Sequence, residues 1–139
     1  MPAQQDVELV HRIYGAINRG DFAALHELFA PEMVRHDLAN LLGESGNSED
    51  VTNFLEKLQE ALPDLHMEVA DVFATDDGRA AARATLFGTH EGEFLGAAPT
   101  GRKVSFAAIT LYEIKNGRIA EAWSLVDWAG ALRQIGAAT

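Results

Sequence analysis

The chain contains no cysteine. That absence excludes a disulfide framework and a thiolate metal centre. Basic residues are scarce too, 11 against 21 acidic ones, for a net charge of −10. A surface of that sign argues against nucleic acid or an anionic membrane as a partner, because phosphate binding relies on Lys and Arg to displace counterions. No apolar run approaches the roughly 20 residues that a membrane span needs. The opening residues, Met1-Pro-Ala-Gln-Gln-Asp6, lack the basic and apolar regions of a signal peptide. The expectation is a soluble cytoplasmic protein. No His-x-His or His-x₃-His spacing occurs, which argues against a histidine metal site. Phosphate-cradling glycine loops and Gly-x-Ser-x-Gly elbows are missing as well. With no repeat, low-complexity tract or linker, residues 1–139 are expected to form a single domain.

What is present is a globular composition, 47% hydrophobic, with two kinds of periodicity. Val7, Val10, Ile13, Tyr14 and Ile17 recur at three- and four-residue steps, the stripe of an amphipathic helix. Gly20 ends it, and Asp21 caps a second, short helix carrying Phe22, Leu25, Leu28 and Phe29, which Pro31 terminates. Residues 33–38 are too short a stretch to assign, and Leu41 to Asn47 reads as a loop. Asn47 or Ser48 caps a third helix whose buried face is Val51, Phe54, Leu55, Leu58 and Leu62. Beyond Pro63 the period becomes two. Leu65, Met67, Val69, Asp71 and Phe73 share one strand face, opposite His66, Glu68, Ala70 and Val72. Asp76-Asp77-Gly78 marks a hairpin leading into a second strand around Arg83–Phe87. Val104–Ile114 is nearly continuous in apolar residues and is expected to be buried on both faces. Asn116-Gly117 signals a type I′ turn into a last strand, Arg118–Val126, and Asp127 caps a terminal helix reaching Ile135.

Helices followed by a strand meander imply an α+β fold, with helices packed on one face of a curved antiparallel sheet. The hollow between them is a natural small-molecule pocket. The opposite sheet face also needs cover, for which a partner subunit is the economical choice, so a homodimer through the sheet is expected.

One segment concentrates glycine and titratable residues: Gly88-Thr-His-Glu-Gly-Glu-Phe-Leu-Gly-Ala-Ala-Pro-Thr-Gly101. Together with Asn116-Gly-Arg-Ile-Ala-Glu-Ala-Trp123, Asp127 and Leu132-Arg-Gln-Ile-Gly136, it resembles the SnoaL-like polyketide cyclase (ester cyclase) family. The resemblance covers nearly the whole chain and implies the cone-shaped α+β barrel of the nuclear-transport-factor-2-like superfamily. It implies intramolecular aldol closure of a hydrophobic, carbonyl-bearing polyketide, with neither metal nor cofactor. In that family a carboxylate on the last strand serves as acid and base, and polar side chains on the preceding strand bind substrate. Carried over by spacing, the carboxylate position falls on Ser124, and the binding positions fall on Ala108 and Thr110. A serine hydroxyl is too weak an acid to act as an unassisted base near neutral pH.

Other residues are therefore candidates for proton transfer. His36 titrates near working pH, and the adjacent Asp37 can hold its tautomer; the alternative is a solvated polar pair at the rim. His90 either handles a substrate carbonyl or proton, or fixes a bend by bonding to backbone. Asp127 is either a relocated carboxylate or a helix cap. Thr110 and Ser124 would orient substrate if their faces point inward. Tyr14, Phe106 and Trp123 are candidate pocket walls, with core packing as the competing use. Glu91 and Glu93 are expected to face water, and His11, His26 and His66 to lie at the surface or a boundary. Three functions stay open: a cofactor-free cyclase, isomerase or dehydratase; a non-catalytic binder of small apolar ligands; and a hydroxylase- or hydratase-like relative.

Overall fold

A computed structural model describes residues 2–38 and 46–136. The elements run α1 (Pro2–Arg19), α2 (Phe22–Glu27), β1 (Phe29–Arg35), α3 (Ser48–Ala61), β2 (His66–Ala74), β3 (Arg79–Thr89), β4 (Lys103–Lys115), β5 (Arg118–Val126) and α4 (Trp128–Gln134). The strands form one five-stranded sheet in the order β1-β5-β4-β3-β2. The four strands from β2 onward are a meander of antiparallel pairs, and β1 adds parallel to β5.

Local signals explain most boundaries. Val10 and Ile13 of the α1 stripe are buried. Gly20 turns the chain at a φ of +67, and the Asp21 carboxylate accepts from the Ala24 N–H to start α2. Asn47, rather than Ser48, caps α3 by accepting from the Asp50 N–H. Asn116 and Gly117 both take positive φ, as a type I′ turn demands.

Three expectations need correction. The second helix stops at Glu27; Phe29 and Pro31 belong to β1, a strand missed by sequence reasoning. Pro31 is tolerated there because β1 is an edge strand whose register slips between Phe29 and Val34. β2 does not keep one face throughout. An irregularity between Val69 and Asp71 flips the alternation, so that Met67 is buried while Phe73 is 67% exposed. β4 is buried on one face alone, for its residues alternate strictly between buried and exposed. The loop expected from Leu41 lies outside the described residues up to position 45.

The helices close the inner face. α1 packs on β2 and β3, α3 on β1, and α4 on β4. The Asn18 amide bonds the Met67 N–H and C=O at 2.8 and 2.9 Å, docking α1 on the free edge of β2. The Gln134 amide does the same to Ser105 at 2.8 and 2.7 Å, fixing the end of α4 on β4. No helix among the described residues is long and apolar enough to cross a membrane.

Candidate functional site

Small side chains make the site. Where the helices cover the sheet, the inner face presents the buried Ala108 and Ala122, and both line the space beneath. Helix and sheet backbones stay apart by what the larger side chains around them require, so alanines on one wall leave space. The result is a cavity of about 70 Å³. Ile13, Leu25, Val51, Leu55 and Leu58 form its helical wall, and Trp128 closes one side.

Polar groups gather along the sheet wall. Thr110 and Ser124 are cross-strand partners in β4 and β5, and both are buried. Their hydroxyls lie 2.7 Å apart. One turn of the register away, the Tyr112 hydroxyl donates to Tyr14 at 3.4 Å. Burial first, and then the neighbouring Tyr14, pushes the Tyr112 phenol well above its usual value, so it stays protonated and acts as a donor. Arg35 also lines the cavity. Its Nε lies 3.0 and 3.1 Å from the two Asp37 oxygens, its Nη2 is 3.0 Å from Asp37, and its guanidinium sits 5.8 Å from the Phe54 ring centre. Sequence reasoning missed both Arg35 and Tyr112. No local pattern announces either, because their roles come from strand register.

The expected site residues divide. Tyr14, Thr110 and Ser124 meet at the cavity, together with Ala108. Asp37 stands behind the wall: besides Arg35 it accepts from the Ser124 N–H at 3.1 Å. It does not touch His36, whose Nε2 instead lies 2.9 Å from Glu121 while the ring stacks on Trp123 at 4.8 Å. His36 and Trp123 thus sit outside the cavity, because alternation in β5 sends Trp123 to the face opposite Ser124. Phe106 is buried against Phe94 and Trp128 and does not line the cavity. Asp127 caps α4, accepting from the Gly130 N–H at 2.8 Å.

His90 is fully buried at the bend. Its Nδ1 accepts from the Thr100 N–H at 3.2 Å and meets the Thr100 hydroxyl at 2.9 Å, while Nε2 has no partner. The imidazole therefore closes the 90–101 turn, outside the cavity lining. Glycine is required nearby: a Cβ on Gly92 would lie 2.4 Å from the Glu60 carbonyl oxygen. Glu91 and Glu93 are exposed, as are His11 and His66, while His26 bonds Ser48.

On the outer face, Glu113 and Glu121 are paired across β4 and β5. The bond to Glu121 raises the Glu113 carboxyl above its usual value, and the bonds to Glu113 and then His36 lower that of Glu121. Among the described residues, no group of three or more His, Asp and Glu side chains is arranged to hold a metal ion.

A family model described as SnoaL-like polyketide cyclase matches residues 8–135. The aklanonic acid methyl ester cyclase DauD of Streptomyces sp. (strain C5) is 30% identical over 136 residues, covering 94% of this chain and 81% of that protein. The aklanonic acid methyl ester cyclase AcmA of Streptomyces galilaeus is 42% identical over 55 residues, a segment spanning 40% of this chain and 38% of the relative. Among solved structures, TsrD from Streptomyces laurentii superposes with a TM-score of 0.86 at 28% identity, covering 99% of this chain and 98% of that one.

Proposed function

The chain belongs to the SnoaL-like polyketide cyclase family, and from that premise we propose that it closes a ring in a hydrophobic, carbonyl-bearing polyketide ester held in the cavity. One observation carries the reading. The cavity is apolar except for a donor-rich wall, whose Thr110–Ser124 hydroxyl pair falls where the family resemblance implies substrate binding and acid–base work.

The chemistry follows from that wall. Hydroxyls of Thr110, Ser124 and Tyr14 hydrogen-bond the substrate's carbonyl oxygens and polarise them. A C–H between two carbonyls becomes acidic enough to lose its proton to water at the site. The resulting carbanion attacks the second carbonyl carbon, and the alkoxide formed takes back the proton held by that water, relayed through Ser124 and Thr110. The apolar surroundings strengthen each of these hydrogen bonds and keep the substrate folded on itself. The step needs no cofactor.

Aklanonic acid methyl ester, the substrate named for two relatives, is the first compound to try, with ring closure followed by chromatography. Wild type is expected to accelerate closure, and Thr110→Val to lose roughly a hundredfold of that acceleration. Closure no faster than in buffer would reject the cyclase reading. A second reading, a binder without catalysis, is favoured by the lack of any Asp, Glu or His among the described residues of the cavity lining. It predicts quenching of Trp128 fluorescence by the same compound without turnover.

We also propose a second copy of this chain as the occupant of the outer sheet face. Phe73, Ile109, Leu111, Trp123 and Leu125 form an exposed apolar patch there. Its charges are balanced locally by the Arg83–Asp71 and Arg79–Glu113 pairs, so identical copies meet without the repulsion their net charge would impose. Light scattering at micromolar concentration is expected to give a dimer that Ile109→Asp dissociates; a wild-type monomer would reject the interface.

A further inference from the structure

In a chain with nearly twice as many acidic as basic residues, the one charged side chain lining the cavity among the described residues is an arginine. We infer that the cavity is an anion receptor, taking its ligand as an enolate or phenolate whose negative oxygen is bound by Arg35. This rests on the reading of the cavity as the substrate site, and it adds the ionisation state of what binds there.

Three features of the geometry support it. First, Arg35 is held rather than free. Asp37 engages Nε and Nη2, and the Phe54 ring lies beneath the guanidinium. Nη1 makes no hydrogen bond among the described residues and is the donor left for a ligand. Second, the ion pair is oriented. Arg35 lines the cavity and Asp37 does not, so the positive end faces inward. Asp37 is further occupied by the Ser124 N–H, which disperses its charge away from the cavity. Third, no other charged side chain among the described residues of the lining repels an anion. Tyr112 keeps its proton and gives it to Tyr14, which leaves the Tyr14 hydroxyl and one hydroxyl of the Thr110–Ser124 pair to donate to a ligand.

The chemical consequence is specific. A neutral ketone gains one hydrogen bond from Arg35, whereas an enolate gains a charge-assisted one in surroundings where water does not compete. Ligands whose oxygen ionises near neutral pH, such as β-dicarbonyl enols and acidic phenols, are therefore preferred over their alkylated or saturated counterparts.

The probe is 4-nitrophenol, whose ionisation is read from its visible absorbance, titrated with and without the full chain. Bound probe is expected to ionise at least about one pH unit lower than free probe, equivalent to about tenfold tighter binding of the phenolate. Its methyl ether, 4-nitroanisole, is expected to bind at least about tenfold more weakly than the phenolate. Arg35→Met should abolish both preferences, and Arg35→Lys should keep part of them. The inference is overturned if bound probe ionises at or above the pH of free probe, if the probe does not bind saturably, or if Arg35→Met keeps the full shift. Should Arg35→Met not fold, the wild-type shift and the ether comparison decide alone. A shift without ring closure of the polyketide ester would leave the anion site standing and remove the cyclase reading; ring closure without a shift would do the reverse.

Discussion

The two faces of β4 contrast in size and in company. Facing inward are Phe106, Ala108, Thr110 and Tyr112; facing outward are Ala107, Ile109, Leu111 and Glu113. Both faces are rich in apolar side chains. The inner one is covered by helices yet built with small residues at its centre, so coverage leaves a cavity. The outer one carries the bulkier aliphatic residues: Ile109 is 52% exposed, Leu111 53% and Leu125 82%. Hydrophobic content alone thus does not tell a site from an interface. On the readings proposed above, the covered face with small residues is the one for a ligand, and the uncovered face with large ones is the one for a second copy of the chain.

The strongest way to break that contrast is to truncate the same residue type on each side. Leu25→Ala, at a side chain with no exposure, is expected to cost about 2–5 kcal/mol in urea unfolding. Leu125→Ala should cost no more than about 0.5 kcal/mol of protomer stability. Equal losses would mean that the outer face is covered within the chain. A finer cut uses adjacent alanines. Ala108→Leu intrudes on the cavity and should weaken nitrophenol binding at least about tenfold, with an overpacking cost of about 1–3 kcal/mol. Ala107→Leu, one residue away and facing out, should leave binding unchanged, as read by the same absorbance titration.

The smallest effects are in pH dependence, where each face holds a titratable pair. Inside, the raised Tyr112 pKa means that the native state keeps its proton longer than the unfolded chain. Its contribution is fully present below the ordinary tyrosine value and is lost as pH rises above it. Tyr112→Phe should flatten the alkaline fall in Tm. Outside, Glu113 is raised and Glu121 lowered. The Glu113 contribution fades as pH rises through its raised value, and that of Glu121 fades as pH falls through its lowered one. The two oppose each other, so the pair should add little acid dependence to wild type, whereas Glu113→Gln removes one side of the balance and should steepen the fall of Tm in the acid range. Superimposable acid profiles of wild type and Glu113→Gln would show that the outer pair is not a balanced one.

Much of this was legible in the residues. The α1 and α3 stripes, the Asp21 and Asp127 caps and the Asn116-Gly117 turn are local devices, each complete within a few residues, so the sequence reads them directly. So does the Gly88–Gly101 motif that carries the family. β1 was not legible, since Pro31 reads as a helix stop and edge strands tolerate proline only in a context that other strands create. The flip in β2 was hidden because a bulge adds no sequence signal, although it moves Phe73 to the opposite face. Thr110 and Ser124 were carried to the cavity by the family resemblance, and Tyr14 was a candidate pocket wall; Arg35 was not singled out, because nothing near it in the chain indicates a cavity.

The sequence by itself determined the elements other than β1, the family resemblance and the exclusion of disulfides and thiolate centres, because propensity, capping and composition act over short range. Only the tertiary structure decided which side chains share a space. Strand pairing set Thr110 against Ser124, parallel addition of β1 carried Arg35 to the cavity, and the pleat put Trp123 and His36 on the other side of the same sheet. A pleated strand sends neighbours in sequence to opposite faces, so the contents of the site depend on register, a property of two strands together and of neither alone.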